Sequence, residues 1–303
     1  MTVVAPVEQP RVTPFGRMAG GLTLLREVAR RPAGLFGLIV VGGLFFLAIF
    51  APLVAPYDPA EQDIPNRLQG PSWDHLLGTD QLGRDILSRL IFGVRVALSV
   101  ALPGVAAALV IGLVLGLIAG YIGGRTDNAT IVMMDTLQAF PAVILALVLL
   151  ALLGASRTSV IIVIAVAFAP NYARVTRALV LTTKQNQFVE AARSLGAGNS
   201  RIVGIHILPN VIAPLFILLA MDLPAAITIE AGLSFLGLGV PPPTPSWGVI
   251  LQDGFDRVRD VAWPIVWAGL TLMVVTLGCT FLGETLRDVA DPRLASVRRW
   301  RKQ

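Results

Sequence analysis

Apolar residues along the chain gather into six long blocks, at roughly 33–56, 97–121, 130–153, 158–181, 207–230 and 262–284, separated by polar stretches. As helices rising about 1.5 Å per residue, blocks of this length match a hydrocarbon layer about 30 Å thick. The fourth block has a purely apolar part, 158–170, that is short for a span. It crosses only if the helix runs on past Pro170, with Arg174 and Arg177 at its exit. The apolar stretch from about 207 to 240 is too long for one straight span and too short for two, so Pro224 is expected to kink it and 231–245 to fold back at the outer surface.

The pattern therefore predicts an all-α, polytopic membrane protein with six transmembrane helices. Residues 1–32 form an arm, with a short interfacial helix around 20–31. Residues 33–290 form the membrane domain, and 291–303 a basic tail. Inside the membrane domain the long polar interruptions are an outer loop 57–96, an inner loop 182–206 and an outer segment 231–261.

Composition strengthens this picture. The chain is 55% hydrophobic and 14% charged, against about 25% charged for ordinary soluble domains. The net charge of +5 is that of basic residues flanking spans beside membrane lipid, not a nucleic-acid surface. With the N-terminus inside, seventeen of the 24 lysines and arginines fall on inner segments and seven on outer ones, which puts both termini in the cytoplasm. Arg67, Arg84, Arg89 and Arg95 in the first outer loop run against that rule. The first block is too long for a cleavable leader, and Cys279 is alone, so no intramolecular disulfide can form.

Several chemistries lack their residues. Neither lysine, Lys184 or Lys302, follows a glycine, so there is no Gly-x-x-x-x-Gly-Lys phosphate loop, and ATP binding by this chain is not expected. His75 and His206 make no metal cluster, and no constellation of nucleophile and base is evident. No cofactor is expected.

Three features are candidates for function inside the spans. Gly104, Ala108, Gly112, Gly116, Gly120 and Gly124 lie four apart on one face of the second span. Such a seam serves either a moving pore interface or static packing within one subunit, the commoner use. Asp222 and Glu230 interrupt the fifth block, and Asp135 lies near the inner end of the third. Acids at such depth are costly and often functional, so Asp222 and Glu230 are candidates for a translocation path or gate. Their alternative is pairing with arginines or helix ends. Trp247, Trp263 and Trp267 read as interfacial anchors.

The inner loop is the most informative stretch. It reads Phe188-Val189-Glu190-Ala191-Ala192-Arg193-Ser194-Leu195-Gly196, then Ala197 to Arg201, then His206-Ile207-Leu208-Pro209-Asn210. Phe188, Ala191, Ala192 and Leu195 share one helical face, Gly196 is a natural stop in left-handed conformation, and Asn199 or Ser200 can cap a second helix. This is a helix–turn–helix elbow with an apolar face and no core of its own, which calls for a protein partner or for lipid headgroups.

Glu190-Ala191-Ala192, the glycine four residues after the last alanine and the closing Ile-Leu-Pro-Asn resemble the EAA loop of permease subunits of binding-protein-dependent ABC importers. Three more segments resemble the dipeptide and oligopeptide branch: Gly78 to Arg89, Leu233 to Gly248, and Gly283 to Asp288 with Asp291-Pro292. The long outer loop is similar to that of the C-type member of a paired permease. The resemblance implies a type I ABC importer permease fold in a bacterial or archaeal cytoplasmic membrane. It also implies a second, B-type permease, two cytoplasmic ABC ATPase subunits that bind ATP and Mg, and an extracytoplasmic solute-binding protein. On that reading Phe188, Glu190, Ala191, Ala192, Leu195 and Gly196 dock the ATPase, and the chain itself is not catalytic. Close relatives handle dipeptides, oligopeptides, glutathione or nickel chelates, so the solute stays open. The rival class, an ion-driven secondary transporter, would use Asp222 and the helix break at Pro224.

Overall fold

A computed structural model describes residues 21–290; residues 1–20 of the arm and the tail 291–303 lie outside the described residues. The described residues are helical, without strands. A short amphipathic α1 (Gly21–Ala29) leads into α2 (Pro32–Val54). An outer loop carrying one 3-10 turn follows, and then α3 (Ile86–Ile122). Next come α4 (Gly124–Gln138), α5 (Ala142–Leu153) and α6 (Arg157–Thr183). The inner loop holds α7 (Gln187–Ser194) and α8 (Asn199–Arg201), then a π-helical turn Ile202–Ile207 that merges into α9 (Leu208–Phe235). An outer helix α10 (Trp247–Asp256) and α11 (Trp263–Ala290) complete the bundle.

Among the described residues five helices are long and apolar enough to cross a membrane, and α4 with α5 makes a sixth crossing if the bent pair is one span. That pair is the main departure from the sequence expectation of a straight third span. The two helices meet at 90°. Phe140 precedes Pro141, and the proline ring disfavours helical geometry in the residue before it. The fourth block does continue through Pro170 as one helix. The fifth does not fold back at 231: α9 keeps its helix through Pro214 and Pro224 as far as Phe235.

The bundle is organised on α3 and α6, which run parallel. Gly104 faces Ile164, Gly112 faces Tyr172, Gly116 faces Thr176 and Gly120 faces Val180, so the offset is constant along the pair. A Cβ on Gly112 would lie 2.3 Å from Tyr172 Cβ and 2.8 Å from the Ala169 carbonyl oxygen. The seam is thus static packing inside this chain, and only hydrogen side chains allow that approach. Gly124 falls past the end of the seam, with nothing near it.

The arginines that strained the orientation rule have local partners. Pro52 has no N–H, so the Ala48 carbonyl in α2 loses its helical donor. Arg95 supplies a substitute, its Nε donating to Ala48 O at 2.6 Å and its Nη2 to Ile49 O at 3.0 Å. Arg84 and Arg89 join a buried network that ties the outer loop to α10. Arg84 Nε donates to Asp80 at 2.6 Å and its Nη2 to Asp253 at 3.1 Å. Arg89 donates to Asp80 through Nη1 and to Asp253 through Nη2, the latter at 2.9 Å. Asp80 also accepts the backbone N–H of Leu82 and Arg84. Two acids face two arginines, all largely buried, so the four formal charges of the network cancel.

The segment Gly78 to Arg89 owes its pattern to this cap. Gly78 and Gly83 take positive φ, and Asp85 caps α3 by accepting from the Ser88 backbone at 2.7 Å. Trp247 is not an interfacial anchor. It is buried, its ring lies against Gly93, and its Nε1 donates to Leu90 O at 3.0 Å.

Candidate functional site

The elbow forms where the sequence places it. Helix α7 ends at Ser194 with Leu195 as its C-cap, Gly196 has φ +84°, and Ala197 N–H reaches back to Ala192 O at 3.0 Å. That six-to-one bond with glycine in left-handed conformation is a Schellman stop. A Cβ at Gly196 would meet nothing within 4 Å, so the glycine is required by backbone conformation and not by crowding.

The outer face of α7 is open. Phe188, Glu190, Ala191 and Leu195 are exposed and Ala192 is half-buried; Leu195 is 88% exposed. What holds the helix is Val189, fully buried against a π-helical turn whose Ile202 and Ile207 are also fully buried. Phe188 adds a tilted ring contact to His206, centroids 6.3 Å apart. Val189 was not singled out from sequence, because it lies off the Phe188–Ala192–Leu195 stripe and its partner surface exists only once the loop has folded.

The second arm of the elbow begins two residues before Arg201, the start that an Asn199 or Ser200 cap leads one to expect. Helix α8 starts at Asn199 and has Gly198 as its N-cap, without a side-chain cap. The Asn199 side chain instead accepts a hydrogen bond from Tyr121 Oη at 2.8 Å, linking the elbow to the inner end of α3. Lys184 Nζ donates to Gly120 O at 2.7 Å and closes the same end of α3 from the α6 side. In the π-helical turn Leu208 N–H reaches Val203 O, and Asn210 Nδ2 donates to the His206 carbonyl at 2.7 Å.

The membrane acids are dispersed. Glu230 is fully buried near the outer end of α9. Its Oε1 accepts from Ser234 Oγ at 2.8 Å, and Ser234 Oγ faces the Val240 N–H across the turn that follows. Asp222 is half-buried and faces the Tyr172 hydroxyl, and apart from this contact neither its Oδ2 nor Tyr172 Oη has a partner among the described residues. Neither acid pairs with an arginine among the described residues. Asp135 does: Arg174 Nη2 donates to Asp135 Oδ1 at 2.9 Å and to Gln138 Oε1 at 2.8 Å. No group of three or more histidines, cysteines or acids fit for a metal ion occurs among the described residues.

Against known proteins, residues 112–296 match the family model described as binding-protein-dependent transport system inner membrane component. Residues 23–71 match the N-terminal TM domain of oligopeptide transport permease C. The di/tripeptide transport system permease protein DppC of Pseudomonas aeruginosa is 41% identical over 278 residues, covering 90% of this chain and 92% of that one. The dipeptide transport system permease protein DppC of Escherichia coli K12 is 41% identical over 88% of this chain and 90% of its own. That of Alkalihalophilus pseudofirmus is 38% identical over 89% of each. Among solved structures, a chain from inward-facing conformations of the MetNI methionine ABC transporter superposes with a TM-score of 0.55 at 20% identity. It covers 67% of this chain and 97% of that one, a likeness of fold.

Proposed function

The chain belongs to the family of binding-protein-dependent transport system inner membrane components, and from that membership we propose that it carries di- or oligopeptides and takes its drive from an ATPase seated on the α7 elbow. As a permease component of an ABC importer in the inner membrane it works with a binding protein, an ATPase and a partner permease, and nucleotide is bound by the ATPase partner. The finer assembly in this proposal is a B-type second permease, two cytoplasmic ATPase subunits and an extracytoplasmic binding protein, with both chain ends in the cytoplasm. The names of the relatives support peptides as the solute.

The observation that carries the docking site is the elbow's exposure. Helix α7 shows Phe188, Ala191 and Leu195 to the outside while one valine anchors it. Two alanines let a partner's cleft approach closely, and Glu190 stands beside them for a basic residue of that partner. Asp222 is assigned to the solute path. Glu230 is assigned to the outer gate, because through Ser234 it holds the turn between α9 and the segment leading to α10. That segment, through α10, is proposed as part of the gate or of the binding-protein surface.

The test is Ala192→Trp and Gly196→Val in the assembled complex, read as ATPase retention and solute uptake. Overfilling a packed cleft costs about 1–3 kcal/mol, so ATPase is expected to be lost or uncoupled while the spans still fold. Normal retention and uptake in both variants would remove the docking proposal.

A further inference from the structure

An ion cluster sits on the α4–α6 face at a depth where lipid is a poor neighbour. Arg174 lies about 13 Å along α6 from that helix's inner end at Thr183, and Asp135 about 16 Å along α4 from Gly124. Both side chains are more than half exposed, 54% and 59%. A long arginine can reach toward headgroups, but an aspartate is too short to do so, and an exposed carboxylate in hydrocarbon is costly. The face therefore borders water or protein. The pair one turn further in behaves differently: Arg177 grips Asp127 with two bonds, at 2.5 and 2.7 Å, and both are better buried.

Two clefts flank this cluster, linked by the hydrogen bond from Arg174 to Gln138. One, about 230 Å³, is lined by Thr130, Met134, Asp135, Arg174 and Arg177. The other, about 390 Å³, lies in the crook of the α4–α5 bend, between Gln138, Phe140, Pro141 and Leu145 on one side and Val166 and Pro170 on the other. Arg174 bridges Asp135 in the first cleft to Gln138 in the second. A cation, an anion and a carboxamide thus stand at the mouth of an apolar crease of ligand size.

Resting on the peptide reading above, we infer that this junction is a solute site on the translocation path, which takes a zwitterionic peptide by exchanging the Arg174–Asp135 bridge for the peptide's own termini. The C-terminal carboxylate goes to Arg174, the ammonium to Asp135, backbone amides to Gln138, and an apolar side chain to the crease. An exposed ion pair is worth little, so exchange is cheap and the site binds weakly. A path requires that, because solute must leave as readily as it enters.

The test uses the complete complex in vesicles. Leu137→Cys, which lines the crease and leaves both charges in place, is made in a Cys279→Ala background, with Ile39→Cys on exposed α2 as the lipid-facing control. The Leu137→Cys thiol should react with a charged, membrane-impermeant reagent, and alanyl-alanine should slow the reaction while its N-acetyl amide does not. A thiol no more reactive than that of Ile39→Cys, or one that reacts without protection, overturns the site.

Uptake of alanyl-alanine per ATP should fall about tenfold in Arg174→Gln, as loss of one charged hydrogen bond implies. It should stay low in the swapped pair Arg174→Asp/Asp135→Arg. Wild-type uptake with normal uptake in both variants overturns this inference and leaves the permease reading standing, and full rescue by the swapped pair reduces the bridge to a structural one. No uptake by wild type would remove the peptide reading and this site with it.

Discussion

The same helix stop closes α7 at the elbow and α9 at the far end of the fifth span, in different surroundings. After α9, Gly237 has φ +76° and Leu238 N–H returns to Leu233 O at 2.9 Å; after α7, Gly196 has φ +84° and Ala197 N–H returns to Ala192 O at 3.0 Å. The tip of the outer turn, Leu236 and Gly237, is exposed, but its base is buried at Glu230, Leu233, Ser234 and Val240, and α10 is held beside it by the Asp80–Arg84–Arg89–Asp253 network. The inner turn has no such cover. Local sequence chemistry writes both turns, but only the outer one is backed by a further helix, α10, from later in the chain. On the docking proposal, the elbow presents a finished conformation to a surface supplied by another polypeptide.

The comparison can be broken most severely from the outer side. Asp80→Ala leaves two buried arginines facing Asp253 alone and strips the acceptor from two backbone N–H groups. Breaking a buried pair in this way costs about 3–5 kcal/mol. Thermal unfolding of the detergent-solubilised complex should show a large loss, with α10 detaching first by proteolysis. Unchanged stability would mean that the cap is held by packing alone. Next comes Gly239→Ala. Its Cβ would fall 1.9 Å from Ser234 Oγ and 2.6 Å from Ser234 Cα, so the outer turn is overfilled at a cost of about 1–3 kcal/mol, read in the same unfolding assay. The mildest is Leu195→Ser at the elbow, expected to shift stability of the subunit by no more than about 0.5 kcal/mol, as for other surface changes. It should nonetheless reduce ATPase co-purification. A large stability loss here would show the elbow to be supported from within and end the contrast.

How far the sequence revealed this division depends on the range of the interactions involved. The spans, the helix through Pro170 and the Gly196 turn were readable because each is set by residues within a few turns of one another. The outer network was not, since Asp80 and Asp253 are brought together only by the finished bundle. Arg89 and Arg95 looked like loop residues because polar side chains interrupt the apolar run, yet both belong to α3 and are satisfied from other elements. Pro141 was visible, but the apolar residues on both sides of it hid the right-angle bend. Val189 was visible too, though nothing local distinguishes an anchor from its exposed neighbours. The acids were legible as unusual and not as located: Glu230 is sealed into the outer turn and Asp222 lies beside Tyr172.

One further consequence follows from the continuity of the fifth span with the elbow. Asn199 to Phe235 is a single helical rod of 37 residues, about 55 Å long. One end is tied to the elbow turn. The other meets α10 through the edge-on contact of Phe235 with Phe255, centroids 5.8 Å apart. Such a rod is a lever whose fulcrum lies in the membrane. A tilt of only about 5° around its midpoint carries each end some 2–3 Å in opposite directions, enough to unseat an aromatic contact of this kind. The two ends of this helix are therefore the two arms of one beam, and a push at one is a pull at the other.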